Sequence, residues 1–281
     1  MCFSILFSPS EDKITEHNSL IVDNDLADNN SLIKTSNIKQ DTNTAFLESL
    51  WGYKHLTKHR MQTINRYFKA LRVILQHRDK ALLESIFGAK SFNDKNIFEL
   101  HLALRFTPLL PAIELYNGVA FQGLSYSTLS QQAKDFILSK VLIFSNLFGV
   151  LSANDSIPFY KLKQGTRQKG LTLKEIYLPF IPHLHKTLLD NEYIIDLRAT
   201  IYAKLFMPTL PHFFFDFQKN GKTISHYAKL YRGKILRLLA NNHNLTKDQC
   251  LEYLCNIDDE NMRFSNYTQH SNRLHLIYEI L

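Results

Sequence analysis

Cysteine is scarce in this chain, which has only Cys2, Cys250 and Cys255. An odd, sparse count builds no disulfide framework, and Cys250 and Cys255 lack the flanking His or Cys of a zinc site. Long apolar runs are also missing, and none approaches the ~20 residues that span a bilayer. The opening Met1–Ser10 stretch has no basic region, and its apolar run is too short for a secretory signal. These absences point to a cytoplasmic protein. No Gly-x-Gly-x-x-Gly, Walker-type loop, Cys-x-x-Cys or spaced Ser/His/Asp pattern occurs. His183 and His185 form a His-x-His pair, but no third ligand has metal spacing, so no metal or cofactor is expected.

What is present is an ordinary globular composition, 45% hydrophobic and 21% charged, in 281 residues. The formal charge of +7 is uneven. Residues 1–50 hold three Lys or Arg against eight Asp or Glu, which leaves 30 basic against 18 acidic residues in the remainder. A body carrying +12 favours polyanionic partners, nucleic acid or phosphorylated ligands.

Short, β-prone apolar runs at Phe3–Phe7, Val119–Leu124, Val141–Phe148, Tyr193–Leu197, Phe213–Phe217 and Leu274–Ile280 read as strands. Helical patterns fall between them, around 45–52, 57–86, 112–116, 128–139, 174–189, 199–206 and 246–254. Alternation of this kind predicts an α/β or α+β fold, one domain over 1–281 with a mixed central sheet flanked by helices. Residues 14–43 are polar and aperiodic and read as a loop or partly disordered insertion. The basic residues of the 57–86 helix, Arg60 and Arg66 among them, read as a solvated face or as an extension of a nucleic-acid surface.

The densest signal runs from Lys219 to Arg237, with six cations and no acid. From Ile224 it predicts an amphipathic helix whose apolar stripe includes Tyr227, Ala228, Tyr231 and Ile235. Ser225, Lys229 and Arg232 border that stripe, with Lys222 near it, where charges can be aimed into a cleft. Gly233 inside the helix costs about 1 kcal/mol relative to alanine, so another element or a ligand is expected against that backbone. Between Pro158 and Lys174 lie five cations and no acid. Phe159 and Tyr160 interleave there with Lys161, Lys163 and Arg167, and Gly165 offers exposed N–H groups, a pattern suited to phosphates and bases. At the end of the first strand, Ser10, Glu11 and Lys13 put a hydroxyl, a carboxylate and an ammonium together.

Taken in order, five segments carry a resemblance. They are Ser8-Pro9-Ser10-Glu11-Asp12-Lys13, Ala112 to Leu124 with Asn117-Gly118, Leu147 to Leu151, Ile157 to Gly165, and Ser225 to Gly233. In number and order they resemble the YaaA family of bacterial peroxide-stress proteins. The resemblance implies an uncommon α/β fold with a positively charged cleft, DNA binding, limitation of damage from intracellular iron, and a helix-hairpin-helix-like element. The sequence departs from the family at two places. Where the family has Gly-Leu-Tyr/Phe-Gly before Val-Leu-Arg-Pro, this chain reads Asn146-Leu147-Phe148-Gly149-Val150-Leu151-Ser152-Ala153. Where the family has Asn-Leu-Ala-Ser, it reads Asp196-Leu197-Arg198-Ala199.

Two functions follow as expectations. In the first, a monomeric protein binds DNA with little sequence specificity, through the cations at Lys161, Lys163, Arg167, Lys222, Lys229 and Arg232, with Tyr160 stacking on a base. In the second, Ser10, Glu11, Lys13, Asn117, Tyr160 and Lys161 converge with Lys229 and Arg232 around a nucleotide or other small phosphorylated substrate. Glu11 would then be a general base, and Lys13, Lys229 and Arg232 an anion clamp.

Overall fold

A computed structural model describes residues 3–14, 45–91, 97, 100–101, 104, 108–224 and 227–281. The polar stretch beyond Ile14, together with Cys2 and Ser225, lies outside them. Among the described residues the main sheet has eight strands. They are β1 (Phe3–Phe7), β2 (Val141–Ser145), β3 (Gly149–Ser152), β4 (Tyr193–Leu197), β5 (His212–Lys219), β6 (Lys222–Thr223), β7 (Met262–His270) and β8 (Arg273–Ile280). Their order is β3-β2-β1-β4-β5-β8-β7, with β6 pairing β5.

Strands β2, β1, β4, β5 and β8 run parallel, and β3, β6 and β7 are antiparallel additions. Parallel strands are covered on both faces, so β2 and β4 are buried throughout, as continuous apolar runs require. The helices are α1 (Tyr53–His77), α2 (Lys80–Phe87), α3 (Ala112–Leu115), α4 (Val119–Leu124), α5 (Gln131–Lys140), α6 (Leu173–Tyr177), α7 (Ile181–Leu188), α8 (Thr200–Ala203), α9 (Ala228–Asn241) and α10 (Lys247–Cys255).

Four expectations need correction. Val119–Leu124 is a helix, not a strand. Its Val and Phe favour strands only weakly against tertiary context, and Phe121 and Leu124 are buried three apart while Val119 is exposed. The run from Val141 stops at Ser145, and Asn146–Phe148 turns the chain into antiparallel β3. The basic helix starts at Ala228 rather than Ile224, because Lys222 and Thr223 pair with β5, and Tyr227 is 71% exposed instead of in the stripe. Arg60 is not solvated. Its Nε donates to Phe148 O at 3.0 Å and its Nη2 to Val150 O at 2.7 Å, which anchors α1 on the β2–β3 hairpin.

Gly233 has the close neighbour its position implies. A Cβ there would lie 1.8 Å from Ala120 O, and one at Gly123 would lie 2.4 Å from Leu230 O. The backbones of α9 and α4 are therefore in contact, and bare glycines set the separation. This packing carries Lys229 and Arg232 to the end of the sheet where β1 finishes.

Candidate functional site

Strand β1 is the pivot of the sheet. From its carboxyl end the chain leaves towards β2 on one side, and from the carboxyl end of its other neighbour, β4, it leaves towards β5. Adjacent parallel strands whose connections diverge leave a crevice at their carboxyl ends, the usual ligand position in open α/β sheets. A cavity of about 310 Å³ occupies that position. Phe7 to Asp12 after β1, and Leu197, Ala199 and Tyr202 after β4, contribute to its lining. Asn146 after β2, Gly118 to Ala120, Gln164, Lys229 and Arg232 complete it.

The turn after β1 is fixed from several directions. Asn117 N–H donates to Asp12 O at 3.0 Å, Lys13 bridges Tyr116 as an antiparallel pair, and Ala199 N–H donates to Ser8 Oγ at 2.8 Å. Ser10 packs so tightly on Gly118 that a Cβ there would meet its Oγ. Glu11 Oε1 accepts Gln164 N–H at 2.6 Å, so one carboxylate oxygen ties the 158–170 loop to the turn.

Lys13 lies beneath this turn, outside the cavity lining. Its Nζ donates to Ser10 O and Glu11 O, each at 3.2 Å, and sits 4.0 Å from the centre of the Tyr160 ring. Burial lowers its pKa to about 7, although Glu11 and Asp12 pull the other way. It is a brace for the turn and not part of an anion clamp.

Tyr160 is likewise no stacking platform. It is fully buried, with its hydroxyl 2.8 Å from both Tyr116 OH and Ser145 Oγ, and burial pushes its pKa up to about 12. Asn117 is exposed and joins the site through its backbone. Lys161, Gly165 and Arg167 are exposed along the loop, and Lys163 packs on Gly88. Lys222 is exposed in β6 and does not line the cavity. Thus Ser10, Glu11, Lys229 and Arg232 come together, and the other expected residues that are described do not line the cavity.

Arg232 is the unusual member. It is 6% exposed, Nη2 reaches Phe215 O at a long 3.4 Å, and its buried Nε has no hydrogen-bond partner among the described residues. Burial lowers its pKa, while Asp216 and Asp196 oppose the shift. The residue lines the cavity, and its guanidinium keeps donors beyond the one long bond to Phe215 O. Lys229, one helical turn earlier and exposed, lines the same cavity.

Asn146 and Tyr202 were missed at the sequence level. Tyr202 OH donates to Asn146 Oδ1 at 2.6 Å, and Asn146 Nδ2 donates to Leu162 O at 3.2 Å. The available signal was an asparagine directly after a buried strand. By contrast Asp196 and Arg198, part of the second departure from the family pattern, face one another. Nε and Nη2 of Arg198 grip both carboxylate oxygens at 2.8 and 2.6 Å, and the guanidinium also donates to Tyr202 O and Phe206 O.

The family profile described as peroxide stress protein YaaA matches residues 3–267. The chain belongs to the YaaA family. An uncharacterised protein of Campylobacter jejuni, Cj0984, is 34% identical to it over 238 residues, 85% of each chain. A UPF0246 protein of Corynebacterium glutamicum is 34% identical over 149 residues, half of this chain and 59% of its own. A UPF0246 protein of Lactobacillus acidophilus is 27% identical over 193 residues, 64% of this chain and 76% of its own.

Burial raises the pKa of the Cys250 thiol to about 11 and raises that of Cys255 as well, which disfavours the thiolate form of both. Among the described residues no group of three or more His, Cys, Asp or Glu could hold a metal. His183 packs against Trp51 and His55, whereas His185 packs against Phe206. No helix of the described residues is long and apolar enough to cross a membrane.

Proposed function

We propose that this YaaA-family chain serves the peroxide-stress response as a monomeric, cytoplasmic nucleic-acid-binding protein that seats one nucleotide unit in the switch-point cavity. The observation that carries this reading is Arg232, a buried arginine that lines the cavity beside Lys229 and spends only one long hydrogen bond of its guanidinium, to Phe215 O. These two groups hold the phosphate. At about 310 Å³ the cavity lies at the lower edge of the roughly 300–1,000 Å³ typical of ligand pockets, a size for one nucleotide and not for a duplex. Binding is mostly independent of sequence, since phosphate contacts carry no base information.

A second reading, an enzyme acting on a free nucleotide or small phosphorylated substrate, draws on Ser10 and Glu11. Both line the cavity with the two cations, and Glu11 keeps one carboxylate oxygen free of the Gln164 bond. Anisotropy of a labelled single strand and a labelled duplex across a salt series separates the readings. Binding with a Kd of about 10⁻⁴–10⁻⁶ M that weakens steeply with salt, and less steeply in Lys229→Ala/Arg232→Ala, supports nucleic acid in the cavity. Binding unchanged in that variant would overturn it. Tighter binding of a free mononucleotide than of either strand would favour the enzyme.

A further inference from the structure

The loop that supplies Gln164 to the cavity also borders a second one. Gln168, Lys169 and Gly170 form one side of a groove of about 740 Å³, and Arg66, Lys69 and Ser85 of α1 and α2 lie on another. The loop between the two cavities is fastened along its length. Gln164 N–H is held by Glu11, Lys163 N–H donates to Ile86 O at 2.7 Å, Thr166 Oγ1 lies 3.0 Å from Ser85 Oγ, and Gly170 N–H donates to Glu175 Oε2 at 2.8 Å.

The groove contains carboxylates as well as cations, three of the latter to two of the former, and one oxygen of each carboxylate is engaged within the fold. Asp79 Oδ1 caps α2 by accepting Leu82 N–H at 2.9 Å. Glu175 Oε2 accepts from Gly170 N–H, Thr172 N–H and the Thr172 hydroxyl, and that hydroxyl holds its pKa below the usual range. Arg66, Lys69 and Lys169 are exposed in the groove, and Lys161 and Arg167 are exposed on the loop leading to it.

We propose that the groove between α1, α2 and the 164–170 loop is a second subsite, and that a single-stranded nucleic acid bridges the two cavities. One nucleotide sits in the switch-point cavity, and the phosphates that follow track the loop to Arg66, Lys69 and Lys169. This inference rests on the nucleic-acid reading above and adds the form of the ligand. The six-residue step from Gln164 to Gly170 spans at most about 20 Å. A single strand can curve over a ridge of that size, whereas a duplex, with a persistence length of about 50 nm, resists it.

The test compares wild type with Lys69→Ala/Lys169→Ala, using thymidine monophosphate and labelled oligothymidylates of up to about sixteen nucleotides, the upper site size of single-strand-binding folds. In wild type, affinity climbs with length and then levels. The groove variant keeps its affinity for the mononucleotide and loses most of the climb. Its log–log salt slope is shallower by about 1.4, since each single-strand phosphate contact contributes about 0.7. An unchanged climb and slope in the groove variant would overturn the proposal. So would tighter binding of a duplex than of a single strand of equal length, or displacement by polyglutamate as effective as by unlabelled strand. If instead Lys229→Ala/Arg232→Ala binds the mononucleotide as wild type does, the cavity reading fails, and the groove is then judged by its own length series.

Discussion

Arg198 and Arg232 are both buried arginines near the same crevice, and they do opposite things. Arg198 has Asp196 on Nε and Nη2 and carbonyls of residues 202 and 206 on its remaining donors, with the Phe144 ring 4.4 Å from its guanidinium carbon. Arg232 has one long contact and an unpartnered Nε. The first guanidinium is used up in shaping the loop after β4. The second keeps capacity for a ligand. Burial of an arginine therefore does not by itself identify a binding residue, and neither does a spare donor, since Arg60 anchors α1 and also keeps an unpartnered Nη1; what sets Arg232 apart is its place in the cavity lining.

The comparison can be broken most severely at Arg198. Arg198→Met strands the buried Asp196 carboxylate, and urea unfolding should show a loss of about 3–5 kcal/mol. Gly233→Ala comes next, because its new methyl meets the carbonyl of Ala120. Overpacking there should cost about 1–3 kcal/mol and weaken strand binding as α9 lifts from α4. Arg232→Met should leave stability unchanged or raise it by about 1 kcal/mol, because an incompletely paired buried charge is removed, while strand binding falls. A loss at Arg232 as large as that at Arg198 would erase the distinction between them.

The remaining effect depends on pH. Folded Lys13 titrates near 7, against 10.5 for an unperturbed lysine. Between these values the unfolded chain binds the extra proton, so the contribution of Lys13 to stability rises with pH across about 7–10.5. Below pH 7 both states are protonated and the burial penalty is felt in full. Denaturation across this range should show wild type gaining on Lys13→Met as pH increases. A constant difference would mean that Lys13 keeps its ordinary pKa.

Much of the sheet was legible from composition and pattern. Phe3–Phe7, Tyr193–Leu197 and Phe213–Phe217 carry β-prone residues in buried runs, and all lie in the parallel core. Strand β7 was missed because Met262–His270 is mostly exposed and polar, with no apolar alternation to betray it. At the site, Glu11, Lys229 and Arg232 could be singled out because charge next to an element end or an apolar stripe is visible in one dimension. Tyr160 and Lys13 could not be placed, since whether an aromatic or a lysine faces in or out depends on partners such as Tyr116 and Ser145 from elsewhere in the chain. Their polar atoms find those partners inside the fold, a fact the spacing of 158–167 does not carry.

The cavity draws its walls from residues 7–12, 118–120, 146, 164, 197, 199, 202, 229 and 232. No local segment holds a partial version of it, because both cations arrive on α9 only after the parallel strands β1, β2, β4 and β5 have been made. Contacts between residues so far apart in sequence form late in folding. While the chain is being synthesised, its amino-terminal portion therefore offers polyanions no cavity to occupy, however basic its exposed helices. On the proposed function, competence for binding appears only once Arg232 has left the ribosome and docked, and occupancy of this cavity then measures completed folding.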